Sequence, residues 1–193
     1  MPLHVTLVNP PSPSGSTGHF SIALLGLGYL AAVLEKNGYE VDVIDCAALN
    51  TSFEEVKNEL SKRQPDIVGL TSTTLTYKSA LRIAEIAKEV NPKCLTVLGG
   101  CHVTFWDDKA LHECPYLDVI VRKEGENTLL ELVERIEAGK PFHDILGITC
   151  RKGEEIVRNP DRPYIEDLDS LPFPAHHLWP IDRLRKYGKA IFP

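Results

Sequence analysis

Four short stretches carry the residue types best suited to hold a small molecule: Asn9-Pro10-Pro11-Ser12-Pro13-Ser14-Gly15, Thr71-Ser72-Thr73-Thr74, Gly99-Gly100-Cys101-His102 and Lys123-Glu124-Gly125-Glu126. Hydroxyl groups, bare backbone and one imidazole dominate them. Glycine lets a chain turn freely or approach a ligand closely, and hydroxyls and amides orient polar groups. No compact nucleophile–base pair can be read from these types, so they are built to hold a large polar ligand more than to transfer acyl or phosphoryl groups. Each loop taken singly is also what an ordinary turn contains.

The elements that must position these loops alternate. Strand-like runs read HVTLVNP from His4, YEVDVIDC from Tyr39, DIVGLTST from Asp66, CLTVLGG from Cys94 and DVIVRKE from Asp118. Between them lie helical patterns. The first runs from about Ala23 to Lys36 and is closed by Asn37-Gly38; the second is SFEEVKNELSKR, with Ser52 near its start. A third, about Thr76 to Val90, puts Ala80, Ile83, Ala84, Ala87 and Val90 on one face; a short one spans Asp107 to Glu113; and Glu126 to Ala138 carries Leu129, Leu130, Leu132, Val133 and Ile136 as its packing stripe. Such alternation is the sequence form of βαβ units and a parallel sheet.

Five units without a G-x-G-x-x-G fingerprint predict an α/β, flavodoxin-like (Rossmann-like) doubly wound parallel sheet of order 2-1-3-4-5. In such a sheet ligands sit beyond the carboxyl ends of the strands, where all four loops gather. Residues 1–146 form this domain. Residues 147–160, GITCRKGEEIVRNP, read as an appended β-hairpin around a Lys152-Gly153 turn, and the proline-rich residues 161–193 as an extended linker outside the core.

The chain has 193 residues, 43% of them apolar, which furnishes a real core; its net charge of -6 has no basic block, which argues against nucleic acid as a partner. No apolar run approaches the roughly 20 residues of a membrane span, and the N-terminus has no signal-peptide pattern, so the expected location is cytoplasmic. Cys46, Cys94, Cys101, Cys114 and Cys150 lack zinc-site spacing and are expected to be reduced thiols. His19 and the adjacent pair His176-His177 are assigned no metal.

In order and spacing, five pieces carry a resemblance over nearly the whole chain: VNPP ending at Pro11, VGLTSTT from Val68, GGCHVT from Gly99, VRKEGENT from Val121 and IEDLDSLPFPA from Ile165. Together they resemble the N-terminal cobalamin-binding domain of the B12-dependent radical SAM enzymes, the family of the anaerobic magnesium-protoporphyrin monomethyl ester cyclases and many methyltransferases. The resemblance implies that Gly99 and Gly100 let the nucleotide tail of cobalamin pass close to the backbone and that Ser72 and Thr73 bind around it. The full set of implied contacts is Asn9, Pro10, Pro11, Ser14, Gly15, Thr71, Ser72, Thr73, Gly99, Gly100, His102, Val103, Glu124, Gly125 and Glu126.

The axial histidine of methionine-synthase-like domains sits in D-x-H-x-x-G after the first strand, where this chain reads NPPSPSG. The resemblance therefore implies base-off cobalamin with no histidine below the metal, and His102 hydrogen-bonding the corrin or its tail. Tyr77 either packs or approaches the lower corrin face. Lys123 departs from a G-E-G-E pattern common in relatives, which leaves Glu124 and Glu126 open; a helix N-terminus by itself accounts for Glu126.

Radical SAM enzymes hold a [4Fe–4S] cluster through C-x3-C-x2-C, a triplet not found among these residues. The expectation is a cobalamin-binding fragment, inactive alone. Its partner is a C-terminal radical SAM domain of the same protein, which brings S-adenosylmethionine and the cluster. Two other readings of the same edge stay open. The loop SPSGSTG, Ser12 to Gly18, offers the residue types a flavin phosphate needs, giving an FMN-binding domain. A cofactor-free, receiver-like interaction module is the other, although Asn9-Pro10 stands where an acidic pair would bind magnesium.

Overall fold

The computed structural model describes residues 3–12 and 25–179. Ser14, Gly15, His19 and most of the Ser12–Gly18 loop lie outside them.

The apolar runs become strands because both of their faces are covered. In chain order the elements are β1 (His4–Asn9), α1 (Leu25–Lys36), β2 (Glu40–Asp45), α2 (Cys46–Leu49), α3 (Phe53–Arg63), β3 (Ile67–Thr71), α4 (Tyr77–Val90), β4 (Leu95–Gly99), α5 (Asp107–Glu113), β5 (Val119–Val121), α6 (Glu126–Glu137), β6 (Ile148–Lys152) and β7 (Glu155–Arg158). The sheet order is β2-β1-β3-β4-β5-β6-β7. The first five strands pair in parallel and reproduce the expected order 2-1-3-4-5, while β6 adds antiparallel to β5 and β7 antiparallel to β6.

Successive side chains alternate between two apolar layers. Val5, Leu7, Ile67, Val97 and Val119 meet Ala31, Leu34, Leu129, Leu132 and Val133 of α1 and α6. Val8, Val68, Leu70, Leu98 and Ile120 meet Val56, Leu60, Ala80, Ile83, Ala84 and Leu111 of α3, α4 and α5. The punctuation works locally as read. Gly38 takes φ +87 after α1, and Ser52 and Glu55 form a reciprocal capping box at the start of α3. The single-turn α2 was not foreseen; it forms because the Asp45 carboxylate caps it by accepting from the Ala48 N–H.

Two expectations change in detail. Lys152 pairs with Glu155, so the hairpin turn is Gly153-Glu154, one residue later than read, with Gly153 at φ +63. The segment after β7 does run extended apart from two 3-10 turns, yet it is not outside the core. Ala175 and Trp179 are buried against α1, the Ala175 N–H donates to the Gly28 carbonyl, and the Trp179 indole Nε1 donates to Asp45 Oδ2 at 2.9 Å. Asp45, itself buried, also accepts from Asn9 Nδ2 at 2.7 Å. Among the described residues no helix is long and apolar enough to cross a membrane.

Trp179 therefore satisfies a buried carboxylate oxygen that has no water to fall back on. Trp179→Phe keeps most of the packing and removes that donor, and should lower unfolding stability by about 1–3 kcal/mol in urea titrations. An unchanged midpoint would show that the contact is not made in solution.

Candidate functional site

At the carboxyl ends of β3, β4 and β5 a cavity of about 660 Å3 opens between the sheet and the α1–α6 layer. That falls within the roughly 300–1,000 Å3 typical of ligand pockets. Its walls are Leu7, Leu27, Leu30, Val97, Val121 and Leu129, and Phe105 and Tyr164 border it as well. Much of the lining is glycine: Gly26, Gly69, Gly99, Gly100 and Gly125. Polar side chains are few, namely Thr71, Cys101, Thr104, Lys123, Glu124, Glu126 and Tyr164.

The glycines do different work. Gly69 faces the cavity from the middle of β3, where a Cβ would stand 2.7 Å from Leu7 Cδ2; a side chain there would fill the floor. Gly99 shares the face of Val97, and a Cβ on it would meet only the Val121 carbonyl oxygen, at 3.4 Å. Its bareness leaves the cavity open. Gly100 has φ +101, and a Cβ would lie 2.4 Å from the Ser72 carbonyl oxygen and 2.8 Å from Ser72 N. Its bareness lets the β3 and β4 loops touch, so one glycine of the pair makes room for a ligand and the other makes the fold.

Of the residues singled out from the sequence, the cavity gathers Thr71, Gly99, Gly100, Glu124, Gly125 and Glu126. Asn9, Pro10, Pro11, Ser72, Thr73, His102 and Val103 lie outside its lining. The Asn9 amide is spent on Asp45. The Ser72 N–H donates to the Gly99 carbonyl at 3.0 Å. The Thr73 N–H donates to Thr76 Oγ1 in a local turn. Val103 is fully buried in the layer on the other face of the sheet. His102 is half-buried, with Nδ1 3.3 Å from Thr74 Oγ1 and its ring 4.5 Å from that of Tyr77. Tyr77 is buried and donates to Glu113 Oε2 at 3.0 Å; burial and that bond push its hydroxyl pKa up. Its role here is packing.

Gly69, Leu30, Thr104, Phe105 and Tyr164 were not anticipated. Gly69 alone carried a signal, since a glycine inside a strand marks a close approach.

The loop between β5 and α6 is held from outside. Lys123 takes φ +61, its N–H donates to Thr104 Oγ1, and its Nζ lies 2.8 Å from Asp161 Oδ2. Lys123 and the buried Arg122 hold the Asp161 carboxyl down at about 2. Glu124 Oε2 accepts from the Ile165 N–H at 2.7 Å. Glu126 begins α6; burial, and then the nearby charge of Glu124, push its pKa up against the pull of the helix-terminal amides. Its Oε2 is buried and has no hydrogen-bond partner. All five cysteines are unpaired; four are buried, and Cys101 is exposed at the cavity. Among the described residues no three His, Cys, Asp or Glu side chains gather as a metal site.

A family model described as a B12 binding domain matches residues 17–133. The chain is 36% identical, over 96% of its length, to an uncharacterized methyltransferase of Pyrococcus horikoshii, spanning 41% of that protein. It is 39% identical over 75% of its length to the anaerobic magnesium-protoporphyrin IX monomethyl ester cyclase of Rubrivivax gelatinosus, spanning 27% of it. The chain thus covers well under half of these relatives. Among solved structures it superposes on the cobalamin-dependent S-adenosylmethionine radical enzyme OxsB, with aqua-cobalamin and S-adenosylmethionine bound, at TM-score 0.81 and 23% identity, over 98% of this chain and 26% of that one. That likeness is one of fold.

The two adjacent glycines should separate in the laboratory. Gly100→Ala forces a Cβ into the Ser72 backbone at a positive φ and should cost at least about 2 kcal/mol of stability, whereas Gly99→Ala should stay within about 1 kcal/mol of wild type. Equal losses in chemical denaturation would refute the division of labour.

Proposed function

Because the chain belongs to the B12-binding domain family, we propose that it binds cobalamin, with the corrin across the carboxyl ends of β1, β3, β4 and β5 and the nucleotide tail in the glycine-walled cavity. The observation that carries this reading is the cavity itself. Gly69 and Gly99 leave its floor without side chains, Leu7, Leu30, Val97 and Leu129 offer an apolar sleeve, and the opening lies at the strand ends. A flat aromatic base on a sugar-phosphate arm needs such a slot, apolar at depth and polar at the mouth. The residues present fit the group.

The chain's own residues would then act as follows. The leucines and valines desolvate the base, stabilising it by burial. Gly99 lets the arm pass against the backbone, and Thr71 with the neighbouring Thr73 and His102 orients the corrin edge. A base held in the cavity is withdrawn from cobalt, so the bound form is base-off. His102 is held by Thr74 and Tyr77, and we assign no histidine to the metal. When bound, cobalamin supplies a cobalt centre able to carry a methyl group.

For the whole protein we propose a C-terminal radical SAM domain with S-adenosylmethionine and a [4Fe–4S] cluster, acting as a methyltransferase or cyclase. The support is that the relatives it matches are far longer and are named as a methyltransferase, a cyclase and a cobalamin-dependent radical SAM methyltransferase.

The chain mixed with hydroxocobalamin in the dark should retain corrinoid absorption after desalting, and Gly99→Leu, which fills the slot, should lose it while keeping its far-UV circular dichroism. Retention of FMN without corrinoid would replace this reading with a flavin one. In a separate test, His102→Ala should leave the base-off absorption spectrum of bound cofactor unaltered even if affinity falls. A spectral change showing lost nitrogen coordination would put His102 on the cobalt.

A further inference from the structure

The polar groups lining the cavity are nearly all committed to the chain. Thr104 Oγ1 donates to the Gly100 carbonyl at 3.1 Å and accepts from the Lys123 N–H. Lys123 Nζ pairs with Asp161. Glu124 Oε2 accepts from the Ile165 amide. Among the described residues that line the cavity, Glu126 is the one whose polar atom, Oε2, is both buried and without a hydrogen-bond partner. A buried acceptor left unmade is costly, so native structures rarely keep one without a use.

Glu126 lies one helical turn before Leu129, and both line the cavity on the side where α6 packs beside α1. Gly125 next to it sits against Leu30 of α1, its notional Cβ 3.2 Å from Leu30 Cδ2. The carboxylate thus belongs to the α1–α6 side of the cavity.

The chemistry of the proposed occupant narrows what this oxygen can bind. The tail of cobalamin consists of a phosphodiester, a ribose and dimethylbenzimidazole. The phosphodiester is an anion and is repelled by a carboxylate. The base presents no N–H when linked to the ribose. Only the ribose hydroxyls are donors, and a carboxylate is the strongest neutral-pH acceptor for them. We propose that Glu126 accepts a hydrogen bond from a ribose hydroxyl of the nucleotide tail, and that this contact makes the site prefer complete cobalamin over cobinamide, the corrinoid lacking that nucleotide. The inference rests on the cobalamin reading above and adds to it a residue that tells one corrinoid from another.

The test is equilibrium dialysis of the chain against hydroxocobalamin and, separately, aquocobinamide, read by corrinoid absorbance, for wild type, Glu126→Ala and Glu126→Gln. Far-UV circular dichroism and a thermal melt verify that each variant is folded. Glu126→Ala should weaken cobalamin binding by about 10- to 100-fold and leave cobinamide binding within about threefold. Glu126→Gln keeps an acceptor oxygen but not the charge and should recover most of the cobalamin affinity, which a role of the negative charge at the helix terminus would not explain. Equal weakening for both corrinoids, or no weakening for either, overturns the inference while leaving cobalamin binding intact. Wild type that retains neither corrinoid overturns it together with the reading on which it rests.

Discussion

Everything at the ligand edge depends on one backbone contact, the seating of Gly100 against Ser72. With φ +101 and no Cβ, Gly100 brings the chain leaving β4 onto the chain leaving β3. The Ser72 N–H then reaches the Gly99 carbonyl at 3.0 Å. The next steps are relays. The Thr104 hydroxyl donates to the Gly100 carbonyl and accepts from the Lys123 N–H, so the ends of β3, β4 and β5 are tied in one line. A parallel sheet gathers its loops at one edge by topology alone; this contact holds three of them at fixed spacing and leaves Gly99 facing an open cavity.

A second constraint acts on the other side of β5. Arg122 is 2% exposed, and a desolvated guanidinium is tolerated only if its donors are met. It donates from Nε to Asp161 Oδ1 and from Nη2 to the Asn159 carbonyl, and lies against Asp107 and Thr149. Replacing a buried ion pair with apolar groups is often neutral for stability, so the effect of such a network is better sought in specificity. Here it draws the residues after β7 to the end of β5. From there the chain runs past the loop that carries Glu124 and Glu126.

The strand order, the helix limits and the gathering of glycine and hydroxyl loops were legible because they rest on local signals: period-2 and period-3.6 patterns, Asn37-Gly38 as a stop and Ser52 with Glu55 as a start. The cavity was only half legible. Gly99, Gly125 and Glu126 lie in loops that announce themselves, but Leu30 and Tyr164 reach the same space from elements remote in sequence, and no local pattern encodes that meeting. The pair Gly99-Gly100 illustrates the limit sharply. The two residues look alike in sequence and differ in backbone conformation and in what a Cβ would meet. Trp179 is the opposite case, since its proline-rich surroundings read as a linker, and only the buried Asp45 carboxylate explains why the chain returns to the core there.

Lys123 joins these strands of the argument. Where the resemblance leads one to expect glycine, this chain holds a lysine at φ +61, a conformation that costs a residue with a Cβ on the order of 1 kcal/mol. Its Nζ lies 2.8 Å from Asp161 and 5.3 Å over the ring of Tyr164. Half-exposed ion pairs and cation–π contacts each contribute little, so together they roughly offset the backbone cost and add no large surplus. Their effect is positional. They hold Tyr164 at the wall of the cavity, one residue before the Ile165 amide that binds Glu124, and so fix the loop bearing Glu126 from both ends. The covalent path from β7 to Trp179 therefore runs along the cavity before it is anchored at Asp45, and the cavity loop and the segment after β7 share one set of contacts.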